Sequence, residues 1–545
     1  ADLTDKVGRK EDALAVHRAV LAAREALASE PGTGAAIKAE IGRSLTAIAT
    51  LLRSTEQTDE ALATYRRSEA LLAGLAESEP SARAALAACR IELGFLLYLT
   101  GKSAEALAVY KMALADQEAL AAAHDASNDV RHGLARTLVH IGVLLMNMGK
   151  LADSETELRA AMAIQQKLAD DDPGVIKFHS SLAYSHYLVA CLLMKADRPA
   201  VAEYRAALAI QQKLADDNPA VTAFRKLLAM SHLDVATALR FAGESSVETE
   251  LRAAMAILQE LADDNPAVND FRMYLAQSHA DLSSLLSEMG KSAEAEAAIR
   301  TSVAILRKVV DDSPDVGVYR FNLALSHNGH GWLLSQTDRP SEAEPVYLEA
   351  LAILQKLADD EPKLPSYRRN AANIGNYLSI ALRRLGRPAE ARQQCERAIT
   401  ILEDLVREDP QSTEDRAVLA ECYLSRGLTR SALGDPVGAA ADARRVVALY
   451  DALPLRFGER WFLSACAHAA LAGLAGRECS GVSAAEATSE AETAVALLHK
   501  AVGVGYRNPD AYRTEDALDP LRGREDFKLL MMDLAFPAEP LAGAE

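Results

Sequence analysis

Residues 214–243 read LADDNPAVTAFRKLLAMSHLDVATALRFAG, and residues 261–290 read LADDNPAVNDFRMYLAQSHADLSSLLSEMG. The second stretch is a copy of the first. The polar residue before proline that opens both recurs at Asp172-Pro173, Asn218-Pro219, Asn265-Pro266, Ser313-Pro314, Glu361-Pro362 and Asp409-Pro410, at intervals of 46, 47, 48, 48 and 48 residues. A fixed period of that length is the signature of a solenoid assembled from helical hairpins. The expected fold is therefore all-α: a right-handed superhelical solenoid of antiparallel helix hairpins with 46–48-residue repeats.

Within the copy that starts at Leu228, the residues Leu228, His232, Val235 and Leu239 follow the i, i+4, i+7, i+11 spacing of one helix face. After the turn at Gly243-Glu244-Ser245, Val247, Leu251, Ala254, Leu258 and Leu261 mark a second helix. The Asn, Asp or Ser before each proline is expected to cap the next helix, with Pro in its first turn. On that reading Asp216, Asp217, Asp263 and Asp264 lie near a helix N-terminus, in a solvated turn with no metal.

The phase extends in both directions from Leu182-Ala183, Leu228-Ala229, Leu275-Ala276, Leu323-Ala324, Ala371-Ala372 and Leu419-Ala420. Residues 1–30 read as a trailing half repeat and 31–455 as an array of about nine hairpins. Residues 456–507 read as a divergent repeat and 508–545 as a C-terminal capping segment, with Leu521, Phe527, Leu529, Leu530 and Leu534 expected to seal the last hairpin. The start at Ala1, within half a repeat, suggests a piece of a longer chain.

The order Gly94, Gly101, Ala106, Tyr110 and Ala113, and again Gly331, Leu334, Ala343, Tyr347 and Ala350, resembles the tetratricopeptide repeat. The unit here is longer, by about two turns in each helix. The Ser-His pairs at Ser185-His186, Ser231-His232, Ser278-His279 and Ser326-His327, with the tail from Tyr512 to Pro537, resemble the repeat arrays of planctomycete-type (bacterial) serine/threonine protein kinases. That resemblance implies a region that recruits partners or substrates to a kinase. No Gly-rich loop, Val-Ala-Ile-Lys, His-Arg-Asp or Asp-Phe-Gly motif is present, so no phosphoryl transfer is assigned here and no enzyme activity is expected. In such kinases a membrane helix can precede the repeats, which would put the array outside the cytoplasm; otherwise a cytoplasmic location is expected.

A formal charge of -18 argues against nucleic acid and anionic membranes as partners. No segment has the roughly 20 apolar residues needed to span a bilayer. Cys89, Cys191, Cys395, Cys422, Cys466 and Cys479 contain no CxxC pair and read as free, mostly buried packers. No cofactor and no metal is expected. His186, His232, His279 and His327 share one repeat position. A metal stripe or pH switch there competes with simple packing, and packing is preferred because neighbouring copies stand on the order of 10 Å apart.

The expected function is a non-catalytic scaffold that binds a peptide or protein in a concave groove; the alternative is a self-assembling array that forms homo-oligomers or filaments. In repeats of this kind the first helices line the groove, through positions two, five, nine and twelve beyond each Leu-Ala start. This selects Tyr184, Tyr187, Met230, Arg240, Asn328, Trp332, Asn373, Asn376 and Arg383 as partner-binding candidates. They are apolar anchors and amide hydrogen-bonders suited to extended or helical peptides.

Overall fold

The computed structural model describes residues 10–30, 34–123, 126–453 and 458–535. Residues 1–9 of the leading half repeat and 536–545 of the capping segment lie outside the described residues. The described residues are all-α, and helices that are consecutive in sequence pack as antiparallel hairpins. They form two compact units, residues 1–257 and 258–545.

In the first unit, the helix Lys10–Ala28 precedes the pairs Ala35–Ser54 with Thr58–Ala73, Pro80–Leu99 with Ser103–Ala121, Asn128–Asn147 with Leu151–Asp171, and Ile176–Lys195 with Val201–Asp217; Thr222–Ala242 follows. The helix Val247–Asp264 carries the chain across the boundary. In the second unit the pairs are Asn269–Glu288 with Ser292–Asp312, Gly317–Gln336 with Pro340–Asp360, Pro365–Arg384 with Pro388–Glu408, Thr413–Ala432 with Pro436–Asp451, and Gly458–Ala472 with Ala484–Gly503. The last pair is followed by Pro509–Thr514, the 3₁₀ turn Asp516–Leu521 and Glu525–Ala535.

The polar-residue–proline marks work differently from the expectation. They end helices. Asp172, Asn218, Ser313, Glu361 and Asp409 are C-caps, and the next helix starts only after Val175, Val221, Val316, Leu364 or Ser412. Proline cannot continue the helix and presets φ for position i+1 of a turn. That turn closes by Val175 N–H donating to Asp172 O at 3.0 Å and Val221 N–H to Asn218 O at 2.9 Å. Asn218 and Asn265 donate their side-chain amides back to Leu214 O and Leu261 O, satisfying carbonyls of the final turn. Asp216, Asp217, Asp263 and Asp264 therefore occupy a helix C-terminus and not an N-terminus. Asp216 and Asp263 accept hydrogen bonds from Gln212 and Gln259 one turn earlier.

The turn inside each hairpin is also repeated. A left-handed residue stands there: Gly101, Gly149, Gly243, Gly290, Gly386 and Gly434, but Glu56, Asp197 and Asp338 in three copies. The following amide reaches back five residues, as in Lys150 N–H to Leu145 O at 2.9 Å and Arg339 N–H to Leu334 O at 2.9 Å, which closes a Schellman motif. Inside the hairpins, Gly94 and Gly331 let the first helix approach a tyrosine of the second. A Cβ on either glycine would stand 2.6 Å from the ring of Tyr110 or Tyr347. Between hairpins, an arginine after the turn pairs with a glutamate 43 residues earlier: Arg198 with Glu155 at 2.6 Å, Arg339 with Glu296 at 2.6 Å, Arg387 with Glu344 at 2.8 Å.

At the C-terminal end, Leu521, Phe527, Leu530 and Leu534 join Phe462 and Leu498 in one buried cluster. Leu529 does not; it is exposed.

Candidate partner-binding face

The first helices of successive hairpins touch within each unit, so they share one face. In the first unit His132 meets Ser181 at 2.9 Å, and Lys195 donates to Met146 O at 3.2 Å. In the second unit Gln277 donates to Asn322 at 2.7 Å and Arg384 to Ser335 O at 3.0 Å. Every sequence candidate lies on one of these helices.

The candidates of the first unit remain on the surface to different degrees. Tyr184 is half exposed, and its ring lies nearly parallel to that of Tyr187, with centroids 6.2 Å apart and an interplanar angle of 19°. Tyr187 meets Tyr204 of the second helix edge-on at 6.0 Å, and Tyr204 Oη lies 3.4 Å from Cys191 Sγ. Met230 is half-buried and Arg240 is exposed and engaged. The thiol contact and burial push the Tyr187 phenol upward.

In the second unit, Asn328, Trp332 and Asn373 are half-buried on adjacent first helices. The carbonyl oxygens of Asn328 and Asn373 have no hydrogen-bond donor among the described residues. Two candidates behave otherwise. Asn376 is only 2% exposed, because the neighbouring first helix Thr413–Ala432 packs against its own helix, so it is part of the interior. Arg383 is already engaged: its guanidinium pairs with Asp516 of the C-terminal 3₁₀ turn, 133 residues away. Nearby, burial pushes the half-buried Glu421 carboxyl up to about 8, and the charge of Glu459 adds to the effect.

Two members of the histidine row clamp their hairpins. His186 Nδ1 meets Glu203 at 2.7 Å and His232 Nδ1 meets Glu250 at 2.6 Å, each on the second helix of its own hairpin. In the second unit His327 is buried, its pKa lowered to about 4 by burial, and its Nε2 lies 3.4 Å from Glu349. Among the described residues no group of three or more His, Cys, Asp or Glu side chains is placed to hold a metal ion. The glutamate partners of His186 and His232 were not recognised in the sequence; a Glu 17–18 residues after His does not identify them alone, since Glu296 and Glu344, at the same spacing from His279 and His327, pair with arginines.

One further register emerges only in three dimensions. A second-helix tyrosine faces a residue 30 positions later, on the first helix of the next hairpin. Tyr110 stacks on His140 at 5.6 Å and Tyr347 on Tyr377 at 6.2 Å. The same 30-residue step joins Tyr65 to Phe95 and Tyr204 to Asp234.

Two segments of the chain, residues 134–173 and 372–411, match the tetratricopeptide repeat family model. No curated protein matches the chain. Among solved structures, the chain is similar to the apo form of RapI, at 13% identity and a TM-score of 0.47, over 75% of this chain and 99% of that one. It is also similar to the apo form of the quorum sensor NprR from B. thuringiensis, at 11% identity and 0.41, over 74% and 97%. BtubC from P. vanneervenii matches at 18% identity and 0.36, over 46% and 90%. Among the described residues no helix is long and apolar enough to cross a membrane.

Proposed function

We propose that the chain is a non-catalytic scaffold that holds an extended segment of a protein partner along the face formed by its first helices. One observation carries the reading: Trp332, one of two tryptophans, shares two adjacent first helices with Asn328 and Asn373, whose amide oxygens have no donor among the described residues. A buried acceptor left unpaired costs about 1–3 kcal/mol. Rotation of each amide toward a peptide N–H removes that cost, so a bound backbone is favoured where the free protein is under-satisfied. The tryptophan supplies the apolar anchor of such a site. The role implied by the resemblance, recruitment of partners to a serine/threonine kinase on the same polypeptide, forms part of the proposal; the repeats would supply surface and no catalysis.

The test is selection of peptides from a displayed random library on the intact chain, followed by titration of the selected peptides. Combined Trp332→Ala and Asn373→Ala should weaken them at least tenfold, with the helical circular dichroism unchanged. Selected peptides that bind this variant as tightly as the parent would refute the placement.

A further inference from the structure

Tyr204 and Asp234 occupy a junction where the other three members of the register, Tyr65 with Phe95, Tyr110 with His140 and Tyr347 with Tyr377, hold a ring at both positions. His140 covers Tyr110 and Tyr377 covers Tyr347, leaving those tyrosines 2% and 1% exposed. At the Tyr204 junction the side chain 30 residues on is the shorter carboxylate of Asp234, and Tyr204 stays 8% exposed. The place of a ring is thus left to a small anion beside an aromatic surface. Tyr187 meets Tyr204 edge-on, and Tyr184 extends the aromatic surface outward to solvent. Asp234 is itself half-buried and has no hydrogen bond or ion pair among the described residues. Burial raises its carboxyl to about 6, the direction expected for a carboxylate without a cation.

The chain shows elsewhere what completes a tyrosine–aspartate pair. In the second unit Arg426 lies over the ring of Tyr423, 5.0 Å from its centroid. It forks onto Asp442 through bonds of 3.0 and 2.7 Å. A planar guanidinium does both jobs at once, stacking on the ring and donating two parallel N–H bonds to the carboxylate. At the first-unit junction the tyrosines and the aspartate are present without the arginine.

We infer that the junction of Tyr187, Tyr204 and Asp234 is a receptor for the guanidinium of an arginine side chain presented by a partner protein. The site deepens the scaffold reading and rests on it, while standing apart from the Trp332 region. The arginine would enter past Tyr184, lie against Tyr204 where its register equivalents carry a ring, and fork onto Asp234. A net charge of -18 on the chain favours the approach of such a side chain.

The probes are N-acetyl-arginine amide, N-acetyl-lysine amide and guanidinium chloride, titrated onto the intact chain at matched ionic strength and followed by NMR. The arginine probe should bind with saturable shifts and at least fivefold better than the lysine probe. Asp234→Asn should weaken it at least tenfold with the fold unchanged. Asp234→Tyr, which restores the ring found in the Tyr347 junction, should abolish binding while raising resistance to heat. Equal binding of arginine and lysine probes would overturn the guanidinium assignment, and so would arginine binding that Asp234→Asn leaves unaltered. Tighter binding by free guanidinium chloride than by the arginine probe would overturn the side-chain source. Peptides selected on the chain that depend on Trp332 and Asn373, but neither carry arginine nor respond to Asp234→Asn, would sink this inference and leave the scaffold reading standing.

Discussion

The junction of Tyr347 with Tyr377 and that of Tyr204 with Asp234 share one register and differ in one side chain. In the former, burial of two rings closes the interface: Tyr347 is 1% exposed, and burial drives the Tyr377 phenol far upward. In the latter, an unpaired carboxylate takes the ring's place. The hairpin repeat thus supplies a position that can be spent on stability or on recognition. The rest of the fold tolerates the exchange because each hairpin packs mainly on its neighbours.

The largest effect should come from breaking the closed junction. Tyr347→Ala removes a fully buried ring and the support of Tyr377, and should cost about 3–5 kcal/mol of local stability. Tyr204→Ala, at the open junction, should cost about half as much, since its partner ring is already missing. Hydrogen exchange of the flanking helices measures both; equal losses would erase the distinction. Next in size, Gly331→Ala forces a Cβ to within 2.6 Å of the Tyr347 ring and should cost about 1–3 kcal/mol by the same readout.

At the open junction the sign reverses. Asp234→Asn should stabilise the flanking helices by about 1–2 kcal/mol at pH 7.5, because it relieves an unpartnered buried charge. The raised carboxyl, about 6 against the ordinary 3.8, sets the window. The charged form penalises the fold fully above about pH 6, and the penalty fades as pH falls toward 4, so the advantage of the variant should vanish over that interval. Tyr187 and Tyr204 feel the charge of this carboxylate, and their phenols, pushed upward by burial and by the contact with Cys191, stay neutral throughout the window. A gain that persists at pH 4 would show that charge is not its cause. The smallest change belongs to the stacking ion pairs: Arg339→Gln should leave hydrogen exchange of the flanking helices nearly unchanged despite its two glutamate partners, because solvent reaches and screens both pairs.

Much of this architecture was legible in the chain. The proline period and the Leu-Ala starts place the hairpins, since helix faces and turn residues are local properties. The polar-residue–proline marks were assigned to the wrong helix end, because Asn and Asp suit N-caps and C-terminal turns alike. Glu56, Asp197 and Asp338 hid three left-handed turns that glycine announces elsewhere. The candidate face was legible only in part. Counting along a helix places Asn328, Trp332 and Asn373 on first helices, but does not show that Asn376 is buried or that Asp516 claims Arg383. Those facts belong to packing between hairpins. The 30-residue step from Tyr204 to Asp234 is readable as spacing, yet acquires meaning only beside Tyr110–His140 and Tyr347–Tyr377.

The most direct test of the central claim, that the first-helix face holds a partner, is titration of library-selected peptides onto the parent chain and onto the Trp332→Ala, Asn373→Ala variant. A loss of at least tenfold in affinity with the helices intact is the predicted result. Selected peptides that bind both proteins equally would contradict it.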